Sequence, residues 1–264
     1  MNLRTFRAAA FLAPCVLLFL CAPNVQGQGA TGDLKITFKL KGDIPTLKPI
    51  DPTTDKAFCG KKDIVDERLI VDKESKGIKN VVVFIKVGRR GPKLPKEKGR
   101  KIVTLDLNNK ACAFEPHVVL ARVGDTVKVN NPDQVGHNSN FGGFVHDENF
   151  TIPAEQSKTM PLTGPEPTLI PVSCNIHPWM KAHMLVVDHK YAAISNEKGE
   201  LTIKDIPVGK EFEFQVWHEC GTFKNEIYVD GKKDKWSKNR LEMKIKAGMN
   251  DLGIVEVPVK EFEL

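Results

Sequence analysis

The seven residues Cys174–Met180 read Cys-Asn-Ile-His-Pro-Trp-Met and dominate the interpretation of this sequence. They place a thiol, an imidazole and a thioether at the spacing C-x2-H-x2-M. Soft sulfur ligands combined with imidazole suit copper, particularly as two histidines, one cysteine and a weak axial methionine. The second histidine must come from elsewhere, and His137 is the candidate because it follows the strand-like segment 123–130. The predicted metal ligands are therefore His137, Cys174, His177 and Met180.

Other interpretations of these residues remain open on the sequence alone. Zinc competes with copper because cysteine and histidine bind it equally well. Cys174 could be a structural cysteine, and Met180 could be a core methionine that fills space. Met184 is an alternative axial ligand, although it begins an alternating strand. A methionine at the fourth position, with no second cysteine nearby, favours copper.

The pattern resembles the cupredoxins, the blue copper proteins of the amicyanin and plastocyanin type. The resemblance covers about residues 118–188 and rests on 123–127, His137-Asn138, Cys174, 177–180 and 184–187. It implies a Greek-key β-sandwich with one type 1 copper, in which Met180 is axial and the other three ligands are equatorial. It also implies a carrier of single electrons that meets a redox partner protein and is not an enzyme.

Two residues of the loop depart from the amicyanin-like pattern. Ile176 stands where such loops carry proline, so its backbone N–H is retained. We expect this N–H to donate a second hydrogen bond to the Cys174 sulfur and to raise the reduction potential. Asn175 replaces the usual threonine or serine, whose hydroxyl helps tie the loop to the asparagine after the first histidine, here Asn138. We expect the Asn175 side chain to take over that role.

The residues after His177 predict where a partner docks. Because Pro178 and Trp179 follow it, we expect the ring edge of His177 to face a small apolar surface, with Trp179 either there or packed over the loop. The remaining histidines are expected to be surface or hydrogen-bonded residues, although His146 and His183 lie nearest in sequence and would be the candidates for a second copper. This group comprises His117, His146, His183, His189 and His218.

Short alternating or β-branched runs separated by glycine, proline and asparagine predict an all-β protein. The predicted strands are 33–40, 81–87, 102–107, 117–120, 126–130, 150–152, 158–162, 168–173, 184–187, 192–195, 201–203, 212–217, 227–229, 241–245 and 252–257. We expect residues 138–145, rich in asparagine, serine and glycine, to form a flexible lip beside His137. Two domains are predicted, a copper domain over 28–188 and a smaller sandwich over 189–264. The latter resembles the carboxypeptidase regulatory-like, or carbohydrate-binding-like, fold through Asp205–Gly209, which implies glycan or protein contact.

The N-terminus predicts export. Arg4 and Arg7 precede an apolar run that ends near Cys21, and small residues follow, which is typical of a cleaved signal peptide over 1–27. The run is short for a membrane span, and no later stretch is long and apolar enough. We therefore expect a periplasmic or secreted protein. A lipid anchor at Cys21 is the lesser alternative.

The cysteines and charges fit that expectation. Cleavage leaves four cysteines, and export permits a disulfide, for which we favour Cys59–Cys112 and leave Cys220 as a buried or free thiol. Cleavage also removes two arginines, so 37 basic residues face 33 acidic ones. This mildly basic balance favours an acidic redox partner. The basic run 86–101 lacks interleaved aromatic residues, which argues against nucleic-acid binding.

Three other functions compete with electron transfer. A copper oxidoreductase would need a second, catalytic copper, and the chain has no His-x-His pair to hold one in a multicopper site. An extracytoplasmic binding or scaffold protein would use copper as a structural or stored ion. A nucleophilic Cys174 activated by His177 is the third, and the surrounding metal-ligand pattern disfavours it.

Overall fold

The structure is a computed structural model that describes residues 29–87, 93–97 and 99–264. The predicted signal peptide and part of the basic run 86–101 lie outside the described residues. Within these ranges, no helix is long and apolar enough to cross a membrane.

The chain is all-β, as predicted. Strands account for nearly all the regular structure of the described residues: β1 Thr31–Lys41, β2 Val82–Ile85, β3 Thr104–Lys110, β4 Ala113–Glu115, β5 Val118–Arg122, β6 Thr126–Asn130, β7 His137–Gly142, β8 Asp147–Ile152, β9 Ser157–Pro161, β10 Ile170–Ser173, β11 Lys181–Val187, β12 Ala192–Ile194, β13 Glu200–Pro207, β14 Glu211–Trp217, β15 Ile227–Val229, β16 Lys232–Asp234, β17 Arg240–Lys244 and β18 Gly248–Pro258. The helices are short: α1 is Lys56–Cys59, and 3-10 turns span Ser237–Asn239 and Val259–Glu261.

The first sandwich, named the ligand sandwich below, consists of β3 to β11. One sheet has the order β5-β11-β10-β7-β8 and the other β4-β3-β6-β9. Alternating residues of both sheets fill its core, which includes Phe114, Phe141, Val129 and Met184. The core reaches Cys174 and Met180, so the predicted ligands lie at its edge.

The second sandwich combines both ends of the chain. Its sheets have the orders β13-β1-β18-β15-β16 and β12-β2-β14-β17. The predicted copper domain over 28–188 would include β1 and β2. The strand pairing instead places both strands in the second sandwich. β1 pairs in parallel with β18, so Phe38 lies opposite Val255, and β2 pairs with β12 and β14. The ligand sandwich is therefore inserted between β2 and β12. Alternation identified β1 as a strand, but it carries no information about a partner more than 200 residues away.

The two sandwiches share an apolar interface. Val82 and Phe84 of β2 pack with Val118 of β5 and Leu185 and Val187 of β11. β2 is apolar on both faces because one face packs in its own sandwich and the other covers the ligand sandwich. This explains the continuous apolar run that the sequence shows at 81–85.

Residues 49–66 form a segment that we call the cap, because it lies over the loop Cys174–Met180. The disulfide Cys59–Cys112 joins the cap to the turn between β3 and β4, which confirms the predicted pairing. Cys59, Ile64 and Cys112 form a small buried cluster with half-buried Trp179 packed against it. The cap is thus anchored to the ligand sandwich by one disulfide bond and by several apolar contacts.

The predicted flexible lip is in large part a strand. β7 covers His137–Gly142 and pairs with both β8 and β10. The Asn138 side chain donates to Oδ1 of Asn149 in β8, and Ser139 is fully buried, with a hydroxyl that has no hydrogen-bond partner among the described residues. Only 143–146 form a loop, in which Phe144 is 89% exposed.

Candidate metal centre

The predicted ligands come from two neighbouring strand ends. His137 is the first residue of β7, while Cys174 follows β10 and the loop to β11 carries His177 and Met180. β10 pairs with β7 and β11, with Ser173 opposite Asn140 and Lys181. Because these pairings place the strand ends side by side, residues 37 positions or more apart meet at one pole of the sandwich.

Three ligand atoms converge in the interior of this pole. The Nδ1 atoms of His137 and His177 are 2.9 Å apart, and Nδ1 of His177 is 3.6 Å from Sγ of Cys174. All three residues are at most 1% exposed. Metal bonds of about 2.0 Å to imidazole and about 2.3 Å to thiolate place ligand atoms roughly 3.5 Å apart. The arrangement therefore fits one transition-metal ion after a small separation of the two rings.

Asn138 connects the two halves of the site. Its backbone N–H donates to Sγ of Cys174 at 3.5 Å, and its Oδ1 accepts the backbone N–H of Asn175 at 2.6 Å. The loop is therefore tied to Asn138 as expected, but through the backbone of Asn175, whose side chain is exposed. The prediction that the Asn175 side chain makes this tie was wrong, because that side chain is exposed and the backbone amides of Asn175 and Ile176 both donate to Oδ1 of Asn138.

The second N–H donated to the sulfur comes from His177, at 3.4 Å. The Ile176 N–H lies close enough to Cys174 to lower its pKa, but its hydrogen bond goes to Oδ1 of Asn138, at 3.4 Å. Burial raises the pKa of the Cys174 thiol, and hydrogen bonds from His137 and from the amides of Asn138 and His177 outweigh it, so the net pKa is lowered. This environment favours the thiolate, which is the form that binds metal.

Carboxylates hold the far nitrogens of both rings. Nε2 of His137 is 3.0 Å from Oδ2 of Asp133, and Nε2 of His177 is 2.9 Å from Oδ2 of Asp55. Such partners keep the proton on Nε2 and direct the Nδ1 lone pair inward. Burial lowers the pKa of His137, but Asp133 and Cys174 raise it above its usual value. Burial lowers the pKa of His177, and Asp55 only partly opposes this.

The contact between Asp55 and His177 contradicts the docking face that we predicted. We expected the ring edge of His177 to face an apolar surface, but the ring is fully buried and its outer nitrogen contacts the cap. Thr54 adds a hydrogen bond from its hydroxyl to the carbonyl of Ile176, at 2.9 Å. No periodicity or spacing links Asp55 to His177 in the sequence. Asp133, four residues before His137, is the partner that spacing could have suggested.

Met180 is 1% exposed and packs in the same core as Cys174. Its backbone N–H donates to the carbonyl of His177 at 2.9 Å, and its carbonyl accepts from Cys174 at 3.3 Å. The loop therefore closes on itself, with Met180 in the core cluster that also contains Cys174. Met184, the alternative axial ligand, is fully buried within β11.

Trp179 lies between the site and the surface. Its ring centroid is 5.1 Å from that of His177, and its Nε1 donates to the carbonyl of Cys112 at 3.0 Å. It borders a cleft of about 290 Å³, together with Pro178 and residues of the cap. Trp179 thus occupies both of the environments that we considered, packing over the loop and facing the surface.

Four of the five remaining histidines divide into two groups, and the fifth, His218, is a buried residue whose Nδ1 lies 3.8 Å from the thiol of Cys220. His146 contacts Glu166 and His189 contacts the carbonyl of Ile85, as expected of hydrogen-bonded core residues. His117 and His183, by contrast, meet Glu219 in a second cluster of metal-binding side-chain types. Cys220 is a half-buried free thiol, and burial raises its pKa to about 12.

No family model matches this chain, and no curated protein matches it. Solved structures that are similar include a Cu(I) form of an amicyanin variant, with 21% identity over 31% of this chain and 81% of that chain, at a TM-score of 0.28. A reduced amicyanin variant at pH 4 has 23% identity over 34% of this chain and 86% of that chain, at 0.27. A Cu-containing nitrite reductase from Thermus scotoductus SA-01 has 21% identity over 37% of this chain and 25% of that chain, at 0.30.

Proposed function

We propose that this chain is an exported copper protein that carries single electrons and is not an enzyme. Its copper ligands are His137, Cys174 and His177, with Met180 as the weak axial ligand. The observation that carries the proposal is the convergence of one buried thiol and two buried Nδ1 atoms at one pole of a β-sandwich. Sulfur and imidazole ligands with a methionine beside them form a set that suits copper better than zinc.

Bound copper supplies a one-electron couple, and the chain supplies a site that changes little between the two oxidation states. Strand pairing fixes the two ends that carry the ligands, and Asn138 holds the loop against β7. The N–H groups of Asn138 and His177 stabilise the thiolate. Asp133 and Asp55 hold the imidazoles in the tautomer that directs Nδ1 inward. A ligand set held before metal binding minimises rearrangement on electron transfer.

The path to a partner runs through Trp179 in this proposal. Asp55 covers the outer edge of the His177 ring, so a partner does not contact this edge directly. The Trp179 ring lies against His177 and borders the cleft. A redox partner that docks over this cleft approaches within van der Waals contact of the indole. The mildly basic chain favours an acidic partner.

Export is supported by two features. The predicted signal peptide directs the chain out of the cytoplasm, and the disulfide Cys59–Cys112 suits an oxidising compartment. The periplasm or the extracellular space is therefore the proposed location.

A second function is favoured by the closure of the site. Cys174 and His177 are at most 1% exposed, and the cap covers the outer nitrogen of His177. Such a site would suit a binding or scaffold protein in which copper is structural or stored, with glycan or protein contact through the second sandwich.

Protein-film voltammetry of the copper-loaded chain separates the two functions. An electron carrier gives a reversible one-electron wave with fast exchange, and the wave disappears in Cys174→Ser. A copper-loaded chain that binds the ion tightly but exchanges electrons only slowly would reject electron transfer in favour of storage or structure.

A further inference from the structure

A second cluster of ligand-type side chains lies at the junction of the two sandwiches. His117 precedes β5, His183 is within β11, and Glu219 follows β14 of the second sandwich. Their nearest nitrogen and oxygen atoms all lie within 4.8 Å of one another. The cluster shares no residue with the copper site.

The backbone fixes the two histidines side by side. β5 and β11 are parallel neighbours, with His183 opposite Val118, and the N–H of His183 donates to the carbonyl of His117 at 2.9 Å. Glu219 is delivered by β14, whose neighbour β2 packs against β5 and β11. The three side chains therefore approach one another from paired strands and one packed interface, which is a rigid arrangement.

Hydrogen bonding accounts for only part of this cluster. Nε2 of His117 is 2.6 Å from Oε2 of Glu219, which satisfies both groups. Nδ1 of His183 is 3.9 Å from the same oxygen, too far for a hydrogen bond. This nitrogen is buried and has no hydrogen-bond partner among the described residues. A buried polar atom without a partner destabilises the fold, so a ligand at this nitrogen would relieve a standing cost.

A metal ion satisfies all three groups together. Bonds of about 2.0–2.1 Å in a tetrahedral site hold ligand atoms about 3.3 Å apart, between the two separations seen here. Two imidazoles and one carboxylate form a set for zinc-type divalent ions, with a fourth position for water. Glu67, whose Oε2 is 3.8 Å from Nδ1 of His117, adds negative charge on the outer side.

We propose that His117, His183 and Glu219 bind a divalent transition-metal ion of the zinc type, separate from the copper site. Because Glu219 belongs to one sandwich and both histidines to the other, the bound ion clamps the two sandwiches together. The His117–Glu219 hydrogen bond is exchanged for two metal bonds, and His183 gains the partner it lacks.

Zinc binding by the full chain tests this site. The background is Cys174→Ser, which disables the copper site, and bound Zn²⁺ is counted by equilibrium dialysis with elemental analysis. We expect one Zn²⁺ to bind per chain. His183→Asn and Glu219→Gln should each weaken this binding by about a hundredfold or more, since loss of a contact that only supports a ligand already costs 10–100-fold. The matched control His146→Asn removes a histidine paired with one glutamate and should leave binding unchanged.

Thermal unfolding of the same variants provides a readout that does not depend on stoichiometry. Zn²⁺ should raise the Tm of the background protein in a concentration-dependent way, and Glu219→Gln, which preserves shape and a hydrogen bond to His117, should abolish the rise. Zinc that remains bound in both cluster variants, or that is lost instead in His137→Asn, overturns the proposal. A folded background protein that binds no Zn²⁺ also overturns it, and none of these results bears on copper at Cys174.

Discussion

The carboxylate of Asp55 accepts a hydrogen bond from Nε2 of His177 across a sequence separation of 122 residues. It joins the cap to the loop that carries three of the four proposed copper ligands. Asp55 has a left-handed backbone, with φ of 47°, which aspartate tolerates better than most residues. This contact makes the cap a part of the site, because it orients one ligand and covers its outer edge.

Removal of the Asp55 charge should alter the copper site from outside. In Asp55→Asn we expect about tenfold weaker Cu(II) binding, because the basicity of His177 falls. The reduction potential should rise, because a nearby anion stabilises Cu(II) more than Cu(I). Competition with a chelator and a redox titration measure the two effects. Asp51→Asn is the matched control, since Asp51 is a highly exposed cap residue in a long ion pair with Lys56. Equal behaviour of the two variants would exclude a role for Asp55.

Loss of the Asn138 side chain should destabilise the folded protein. Oδ1 of Asn138 accepts from the amide of Asn175, so Asn138→Ala leaves that amide without its partner in a tightly packed loop. We expect about 1–3 kcal/mol of lost unfolding free energy, measured by denaturant titration of the apoprotein. Asn149→Ala removes an exposed partner of Asn138 and should cost much less. If both variants cost the same, Asn138 does not hold the loop.

The disulfide should stabilise both the fold and the cap. Cys59 and Cys112 are 53 positions apart, and a loop of that size corresponds to about 4 kcal/mol in the chain-entropy model. The double variant Cys59→Ser, Cys112→Ser should lose stability on that scale and bind Cu(II) more weakly, as Asp55→Asn does. Denaturant unfolding and chelator competition test this. Unchanged Cu(II) affinity in a clearly destabilised double variant would show that the cap is independent of the site.

Asp125 should make the stability pH-dependent. Burial raises the pKa of this carboxyl, but hydrogen bonds from the amides of Val103 and Arg122 and from Arg100 outweigh it and hold the pKa below its usual value. A lowered pKa in the folded state contributes stability above the unfolded value of about 3.9, and this is lost as pH falls through the folded value.

Asp125→Asn should therefore cost about 3 kcal/mol near neutral pH, where a buried charge pair is broken. The cost should shrink as the pH falls below the unfolded value of about 3.9 and through the lowered folded value, because the carboxyl gains a proton first in the unfolded and then in the folded wild-type protein. Denaturant unfolding across this pH range measures both. A cost that is constant with pH would show that the carboxylate charge is not involved. Asp106→Asn, at an exposed strand position, is the control.

The sequence predicted the parts of the site that depend on local pattern. Alternation located most strands within a few residues, and the end of each strand indicated where His137 and Cys174 would lie. Strand ends gather at the poles of a sandwich, so the strand pattern allowed His137 and Cys174 to meet, and the cupredoxin resemblance singled out His137 as the second histidine. Export and the assignment of Cys174 to metal left three cysteines and room for one disulfide, and the loop-like surroundings of Cys59 and Cys112 favoured that pair among the three.

The pattern of apolar and polar residues could not predict contacts between segments that are distant in the sequence. β1 reads as a strand with one buried face, but nothing in Ile36 or Phe38 specifies that its partner is β18. Asp55 reads as a loop residue, and its role depends on where the disulfide anchors the cap. The polar composition of 138–142 suggested flexibility, whereas β8 and β10 on either side make it a strand. The Ile176 amide was assigned to the sulfur, but Asn138 offers a competing acceptor.

The visible absorption spectrum of the mature chain with one equivalent of Cu(II) tests the central claim most directly. We predict an intense blue thiolate-to-copper band that is absent in Cys174→Ser, with His183→Asn retaining the band because His183 lies outside the copper site. A colourless or pale protein that binds Zn²⁺ as readily as Cu(II) at Cys174 would contradict the account.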